Sequence, residues 1–540
     1  MKKKLTRYIT MFVSALQGLT ITSCSDWLDL MPNDGVPLDE FWKTKEDVRS
    51  VLNGAYLSMA SSAMVQRLFL YGEWRADMIT SGKRTNSNVV SVFNGEISID
   101  NSLLDWASFY ETINICNTIL EFAPTAQAND PSFSPATLKE YEGQAIAIRS
   151  LMYFYLVRAF GDVPLIRKAY ISAAQEMSVA KSSQKEVLEA IVADLESLET
   201  GNYLPSHYST TDAAQNKGRM TLWAVKALLA DIYLWMEDYE KCNRKCEEII
   251  ASGQYTLIPV TRQKQESGED GEEFGVTIYY PDPSTYFALF NQMYYEGNSM
   301  ESIFELQFST ENLNPFYSMM SSGRGYIGIN TANLESNIFI PTATGDMLFF
   351  DIRNIICQNK SCLWKYIGVE PKASSAERAQ EEYTGNFIIY RLAEIYLMKA
   401  EALTQMAIAD NENQELLKEA YRLVKVIRDR ANAVETTDLG ASEGSYVGKD
   451  MEKFILDERA RELAYEGKRW FDVLRQAKRN NYGGDNLNYL MTLAEYSAPA
   501  SKVTSLKAKY RNYHSHYLPI YSEELDANPL LEQNEFYATN

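Results

Sequence analysis

A chain of 540 residues can bury a large core and has room for two to four domains. Its 72 acidic against 52 basic side chains give a formal charge of −20, and no basic stripe interleaves with aromatics, which argues against nucleic acid as a partner. Three histidines, His207, His514 and His516, and no Cys-x-x-Cys make a poor ligand set for a transition metal, so neither a metal nor a cofactor is expected.

The first residues, from Met1 to Arg7, form a positive n-region, and residues 8–22 are an apolar stretch too short to span a bilayer, the pattern of an export signal. Ile21, Thr22 and Ser23 ahead of Cys24 resemble a lipobox, so the mature chain is expected to begin at an acylated Cys24. Several acyl chains, palmitate among them, hold a protein at a membrane where a single chain would not. Loss of residues 1–23 removes Lys2, Lys3, Lys4 and Arg7 and takes the formal charge from −20 to −24. Five cysteines remain, an odd number that excludes a fully paired framework. Cys357 and Cys362 flank a short polar turn and can bridge in an oxidising compartment. Cys116 has no evident partner, and Cys242 and Cys246, one helical turn apart, read as a buried stripe.

Apolar residues at helical spacing predict helices over residues 45–60, 106–122, 137–160, 184–198, 219–236, 239–252, 386–406, 414–432 and 450–478. Leu222, Val225, Leu229 and Ile232 keep to one face of the 219–236 segment, and Ile389, Leu392, Tyr396 and Leu403 to one face of 386–406. Two pairs, 221–236 with 239–252 and 387–406 with 414–432, read as helix, polar turn, helix. Small residues such as Ala227, Ala230, Ala400 and Ala402 stand at close-packing positions, a degenerate tetratricopeptide-like pattern. The expected fold is therefore mainly α, a scaffold of tetratricopeptide-like helical hairpins.

Residues 259–383 break the pattern. They are rich in Gly, Ser, Asn, Pro and Tyr, with short apolar runs such as Ile303-Phe-Glu-Leu306, and read as loops with a few strands. The acidic run 266–273 lacks EF-hand spacing and reads as a solvated loop. Asp457 with Arg461, and Glu462 with Glu466, stand four apart on one helix, which predicts a charge-laced packing face and not paired catalytic carboxylates, with Trp470 and Phe471 as core anchors.

An ordered set of segments resembles the SusD/RagB family of outer-membrane nutrient-binding lipoproteins. Asp26-Trp-Leu-Asp29 and Asn53-Gly-Ala-Tyr56 open it, and Tyr110-Glu-Thr-Ile-Asn114 follows. Next come Tyr153-Phe154 with Phe160-Gly-Asp-Val-Pro-Leu165, then Glu301-Ser-Ile-Phe-Glu305. Tyr390-Arg-Leu-Ala-Glu394, Glu458-Arg-Ala-Arg-Glu-Leu463, Glu466-Gly-Lys-Arg-Trp-Phe-Asp472 and Tyr517-Leu-Pro-Ile520 complete the series. The resemblance runs nearly end to end. It implies a signal peptide at 1–23 and a single domain over 24–540, with the helical scaffold at about 40–258 and 384–540 and the loop-rich insert at about 259–383.

The resemblance further implies a cell-surface lipoprotein, held in the outer membrane by Cys24, that captures nutrient oligomers and passes them to a SusC-type TonB-dependent transporter. No catalytic residue is implied. Ligand platforms in such proteins come from variable loops, here residues 80–94 and the 259–383 region. The first loop carries Arg84, Asn86, Asn88 and Asn94 but no Trp or Tyr. The second carries Tyr280, Tyr286, Tyr317, Arg324 and Tyr326 among turn residues. Those side chains are candidate ligand contacts: tyrosine rings stack on sugar faces, while Asn and Arg hydrogen-bond to hydroxyls. An oligosaccharide is the expected cargo. A peptide, as in the RagB branch, is the alternative, since a peptide site exposes backbone-pairing edges instead of stacked rings. A surface glycoside hydrolase, needing two carboxylates about 5–10 Å apart in a cleft, and a ligand-free structural lid are further rivals.

Overall fold

The computed structural model describes residues 41–172, 174–267, 276–340, 351–359, 362–440 and 445–538. Cys24, the signal segment and most of the acidic run 266–273 lie outside them. The fold is mainly α. Twelve principal helices carry it: α1 Lys45–Met59, α2 Ser62–Glu73, α3 Ala107–Asn129, α4 Pro135–Phe160, α5 Gln184–Thr200, α6 Leu222–Trp235, α7 Tyr239–Ala251, α8 Leu392–Ala409, α9 Gln414–Ala431, α10 Gly448–Glu462, α11 Arg469–Tyr482 and α12 Asn488–Ser497.

Local chemistry explains many of their starts. Thr44 and Asp47 form a reciprocal capping box on α1, and Ser183 and Glu186 form another on α5. Ser134 caps α4, whose first residue is Pro135, and Thr221 and Asn413 cap α6 and α9. Asn432 ends α9 in the left-handed region at φ 51°.

Packing follows chain order in antiparallel hairpins. α3 lies against α4, α4 against α5, α6 against α7, α7 against α8 and α8 against α9, a tetratricopeptide-like stack. α6 is buried on nearly every side, and Ala224, Ala227 and Ala230 let its neighbours close in. α7 and α9 are amphipathic, burying Cys242, Cys246 and Ile249, and Leu417, Ala420, Val424 and Ile427. The expected cysteine stripe is thus part of the core.

Among the described residues eight short strands pair antiparallel in twos: β1 Ile79–Ser81 with β5 Ile327–Ile329, β2 Arg262–Ser267 with β3 Val276–Pro281, β4 Ser302–Leu306 with β8 Phe387–Arg391, and β6 Gln358–Asn359 with β7 Cys362–Leu363. β8 corrects the helix expected over 386–406. Its first five residues are all buried and pair with β4 from the loop-rich stretch, and the helix begins only at Leu392. The helix expected over 450–478 is likewise two. Between α10 and α11, Tyr465 and Gly467 take φ of 64° and 73°, and the Glu73 carboxylate accepts from the amides of Gly467 and Lys468 at 3.0 and 3.2 Å. Gly72 makes that approach feasible, because a Cβ there would overlap the carbonyl oxygen of Gly467.

Candidate ligand-binding site

The two loops singled out from sequence meet. β1 opens the first loop and β5 lies in the second, in the register Ile79 to Ile329, Thr80 to Gly328 and Ser81 to Ile327. Two bonds prolong the ribbon: Gly82 N donates to Tyr326 O at 2.8 Å and Arg84 N to Gly325 O at 3.1 Å. Ile79, Ile327 and Ile329 face the core, while Thr80 and Ser81 are exposed. Glycine is required at the tip. A Cβ on Gly82 would overlap Gly325 O, and one on Gly325 would stand 2.6 Å from the Met320 carbonyl carbon.

Of the candidate contacts, Arg84 and Arg324 are exposed and brought side by side by this pairing, and neither has an ion-pair partner among the described residues. Asn86 and Asn88 hold the loop in shape. Asn86 accepts from Val89 N at 3.2 Å as the cap of a short helix, and Asn88 Nδ2 donates to Ser102 Oγ at 3.0 Å. Tyr280 sits on the β2–β3 hairpin, its hydroxyl donating to Gln263 Oε1 at 2.9 Å. Tyr317 is half-buried, edge-on to Tyr383. Tyr286 and Tyr326 turn into the core, and the Tyr326 hydroxyl accepts from Gln66 Nε2. Those two rings are therefore not presented on the surface, because their strands and helices pack against the scaffold on that side.

At the root of the ribbon lies a cleft of about 400 Å³ that motif reasoning missed. Asp77, just before β1, and Asn333, just after β5, line it together with Ile338, Leu456, Tyr489 and Tyr496. The Arg469 guanidinium clamps Asp77 through two 3.0 Å bonds, and Asn330 Nδ2 donates to the Tyr496 carbonyl at 2.7 Å. Tyr496 is 37% exposed and offers a ring the ribbon lacks. The cleft walls come from five separate stretches of chain, and no local spacing announces them. The ribbon thus carries the exposed Arg84 and Arg324 at its tip and exposed hydroxyls on β1, and an apolar, partly aromatic hollow lies at its root.

The charged residues of α10 and the following turn belong to a buried ionic lattice. Arg391 Nη1 donates to Glu462 at 2.7 Å and its Nε to Glu466 at 2.9 Å, while Lys365 Nζ reaches Glu466 at 2.7 Å. Arg428 and Arg461 converge on Glu458 at 3.0 and 2.8 Å, and Arg353 joins them. The expected Asp457–Arg461 pairing is replaced: Arg461 turns to the fully buried Glu458, which needs the cation more, and exposed Lys453 takes Asp457. Burial works against the Glu458 charge, but Arg353, Arg461 and Arg428 outweigh it and hold the carboxyl down at about 2. Burial likewise opposes charge on Glu462 and Glu466, and their arginine and lysine partners likewise depress both. A general acid needs the opposite, a raised carboxyl facing a cleft. The lattice is scaffold.

No disulfide joins Cys357 to Cys362. The β6–β7 register sets Cys362 opposite Asn359, with Cys357 two positions further along, so the two are not facing partners. Among the described residues no helix is long and apolar enough to cross a membrane.

A family model described as SusD family matches residues 359–537, and one described as starch-binding associating with outer membrane matches residues 26–234. A SusD-like protein of Formosa agariphila is 25% identical over 99% of this chain and 100% of its own length. A SusD superfamily protein of Bacteroides thetaiotaomicron has a similar crystal structure, with a TM-score of 0.65 at 23% identity, covering 92% of this chain and 99% of that one. Surface glycan-binding protein A of the same organism, solved in complex with laminarihexaose, gives a TM-score of 0.63 at 21% identity over 91% of this chain and 100% of that one. At such identities these structures establish the shared fold.

Proposed function

Since this chain belongs to the SusD/RagB family, we propose that it is a lipoprotein of the outer-membrane surface that binds oligosaccharides at the β1–β5 ribbon and its root, and delivers them to a SusC-type TonB-dependent transporter. The observation that carries the site is the ribbon pairing, which brings exposed Arg84 to the tip that also bears exposed Arg324, with exposed Thr80 and Ser81 further along the same ribbon. Guanidinium forks and hydroxyls suit the hydroxylated rim of a sugar, and Tyr496 suits its apolar face. A glycan as the ligand class is supported by the starch-binding description of the matching family and by the fold-mate that holds laminarihexaose. The acylated Cys24 keeps the domain, residues 24–540, at the membrane, with the insert at 259–383 contributing β5 to the site. Binding, with no catalytic step, is the assigned activity.

One observation favours a second reading. Among the described residues the ribbon itself exposes no aromatic ring to stack on a sugar, which leaves room for a peptide held by polar contacts. Titration of the full chain with a panel of oligosaccharides and of tryptic peptides separates the two. Binding of a glycan supports the first reading, and binding of peptides alone contradicts it.

A further inference from the structure

A second groove lies where the end of α11 meets residues 511–517, and it shares no lining residue with the cleft at the ribbon root. It consists of two adjoining hollows of about 550 and 730 Å³ that have His514 and Tyr517 in common. Its floor is a pair of tyrosines. Tyr513, 42% exposed, lies on Tyr482 with ring centroids 3.9 Å apart and planes 13° from parallel. One face of Tyr513 is therefore covered and the other is left for a ligand.

Tyr482 is held in a demanding conformation. α11 loses helical geometry after Lys478, and Asn480, Asn481 and Tyr482 take φ of 48°, 53° and 59°. Asparagine enters the left-handed region readily, whereas a bulky tyrosine stays there only when its surroundings impose it. Those surroundings are present. The Glu237 carboxylate accepts from Asn480 N at 3.2 Å, and Asn486 Nδ2 donates to Arg479 O at 3.1 Å. His516 then fixes the ring. Its Nε2 lies 2.8 Å from the Tyr510 carbonyl, which can only accept, so Nδ1 is the bare nitrogen and accepts the Tyr482 hydroxyl at 2.8 Å. Burial pushes the imidazole down to about 4, which keeps it neutral and keeps that tautomer at ordinary pH.

The rim is polar and of mixed sign. Gln184 accepts from the Tyr517 hydroxyl at 3.3 Å, Glu535 pairs with His514 at 3.2 Å, and Lys181 reaches Asn534 at 3.4 Å. Gly161, at φ 79°, brings the exit of α4 so close that an added Cβ would stand 3.3 Å from the Tyr517 ring. A flat ring with donors and acceptors of both signs around it matches a pyranose, which has an apolar face and an edge of neutral hydroxyls.

We propose that this groove is a second binding site for an uncharged oligosaccharide, one sugar ring stacking on the open face of Tyr513 and its hydroxyls meeting the polar rim. The proposal shares its ligand class with the ribbon reading but does not depend on the ribbon. It is tested by calorimetric titration of the full chain in detergent with laminarihexaose, maltohexaose, cellohexaose and xylohexaose. The result expected is a binding component that Tyr513→Ala weakens about 3- to 10-fold, that Tyr513→Phe retains, and that an Arg84→Ala/Arg324→Ala double variant leaves in place. Because Tyr513 is exposed, all variants should melt as the unsubstituted chain does. Binding of none of the four, or binding that Tyr513→Ala leaves unchanged, overturns the groove. Where a single binding component is seen, its loss in the arginine variant alone overturns the groove while sustaining the ribbon, and its loss in Tyr513→Ala alone does the reverse; two components, each lost in one variant, sustain both.

Discussion

The amide of Arg84 donates to the carbonyl of Gly325 at 3.1 Å, joining two loops that lie far apart in the chain and setting Arg84 beside Arg324. If these side chains grip a ligand, each arginine-to-alanine change should cost the hydrogen bonds of one guanidinium, about 1.5–3 kcal/mol or roughly tenfold or more in affinity. Both side chains are exposed, so thermal stability should not move. Titration beside a melting curve checks this, and equal losses of affinity and stability would show a structural role instead.

The ribbon tip depends on glycine. A Cβ on Gly82 would overlap the Gly325 carbonyl, so Gly82→Ala should force the two strands apart and cost about 1–3 kcal/mol in urea unfolding. The same change at Gly54, where a Cβ meets nothing within 4 Å, should be neutral or slightly stabilising.

Glu73 makes a pH-dependent contribution. Burial raises its carboxyl from 4.5 to about 8, and Asp77 adds to the rise, against the lowering pull of the Lys468 and Gly467 amides. The folded state thus binds the proton more tightly than the unfolded chain. Stability from this group is complete below the unfolded value of 4.5 and is lost as pH rises through about 8. Glu73→Gln keeps an uncharged acceptor for the two amides, so the variant should lose the fall in melting temperature between pH 4.5 and about 8, worth on the order of a few kcal/mol. An identical fall in both proteins would rule this out.

The ionic lattice should behave as scaffold. Glu458→Ala strands Arg353, Arg428 and Arg461 in the core and should cost about 3–5 kcal/mol, whereas Glu189→Ala, at an exposed pair with Lys185, should change nothing measurable. Urea unfolding of the two variants gives the comparison.

The proposed lipid anchor is Cys24, so Cys24→Ser should move the chain from the membrane fraction to the soluble one. Fractionation followed by blotting reads the outcome directly.

Much of the helical scaffold was legible because its signals are local. Thr44, Ser183 and Thr221 mark helix starts, and the amphipathic faces of α7 and α9 show the helical period. What escaped was decided by distant partners. Phe387–Arg391 is apolar enough for a buried helix turn or a strand, and only β4 makes it a strand. The break before Arg469 needs Glu73, from the far end of the chain, to cap the new helix. α2 went unpredicted because Met64 to Glu73 are all buried apart from Gln66, which leaves no polar face to set a period. Sequence singled out the two loops separately, and their meeting appears only in the β1–β5 register. Residue type alone could not separate exposed Arg84 and Arg324 from Tyr286 and Tyr326, whose rings are used by the core.

The central claim is that this protein grips oligosaccharides with the ribbon. Its most direct measurement is titration of the full chain and of the Arg84→Ala/Arg324→Ala variant with oligosaccharides differing in sugar and linkage, beside a peptide panel. The account predicts that at least one glycan binds and that the double variant weakens it by roughly tenfold or more. Binding confined to peptides, or a glycan affinity that the double variant leaves intact, would contradict it.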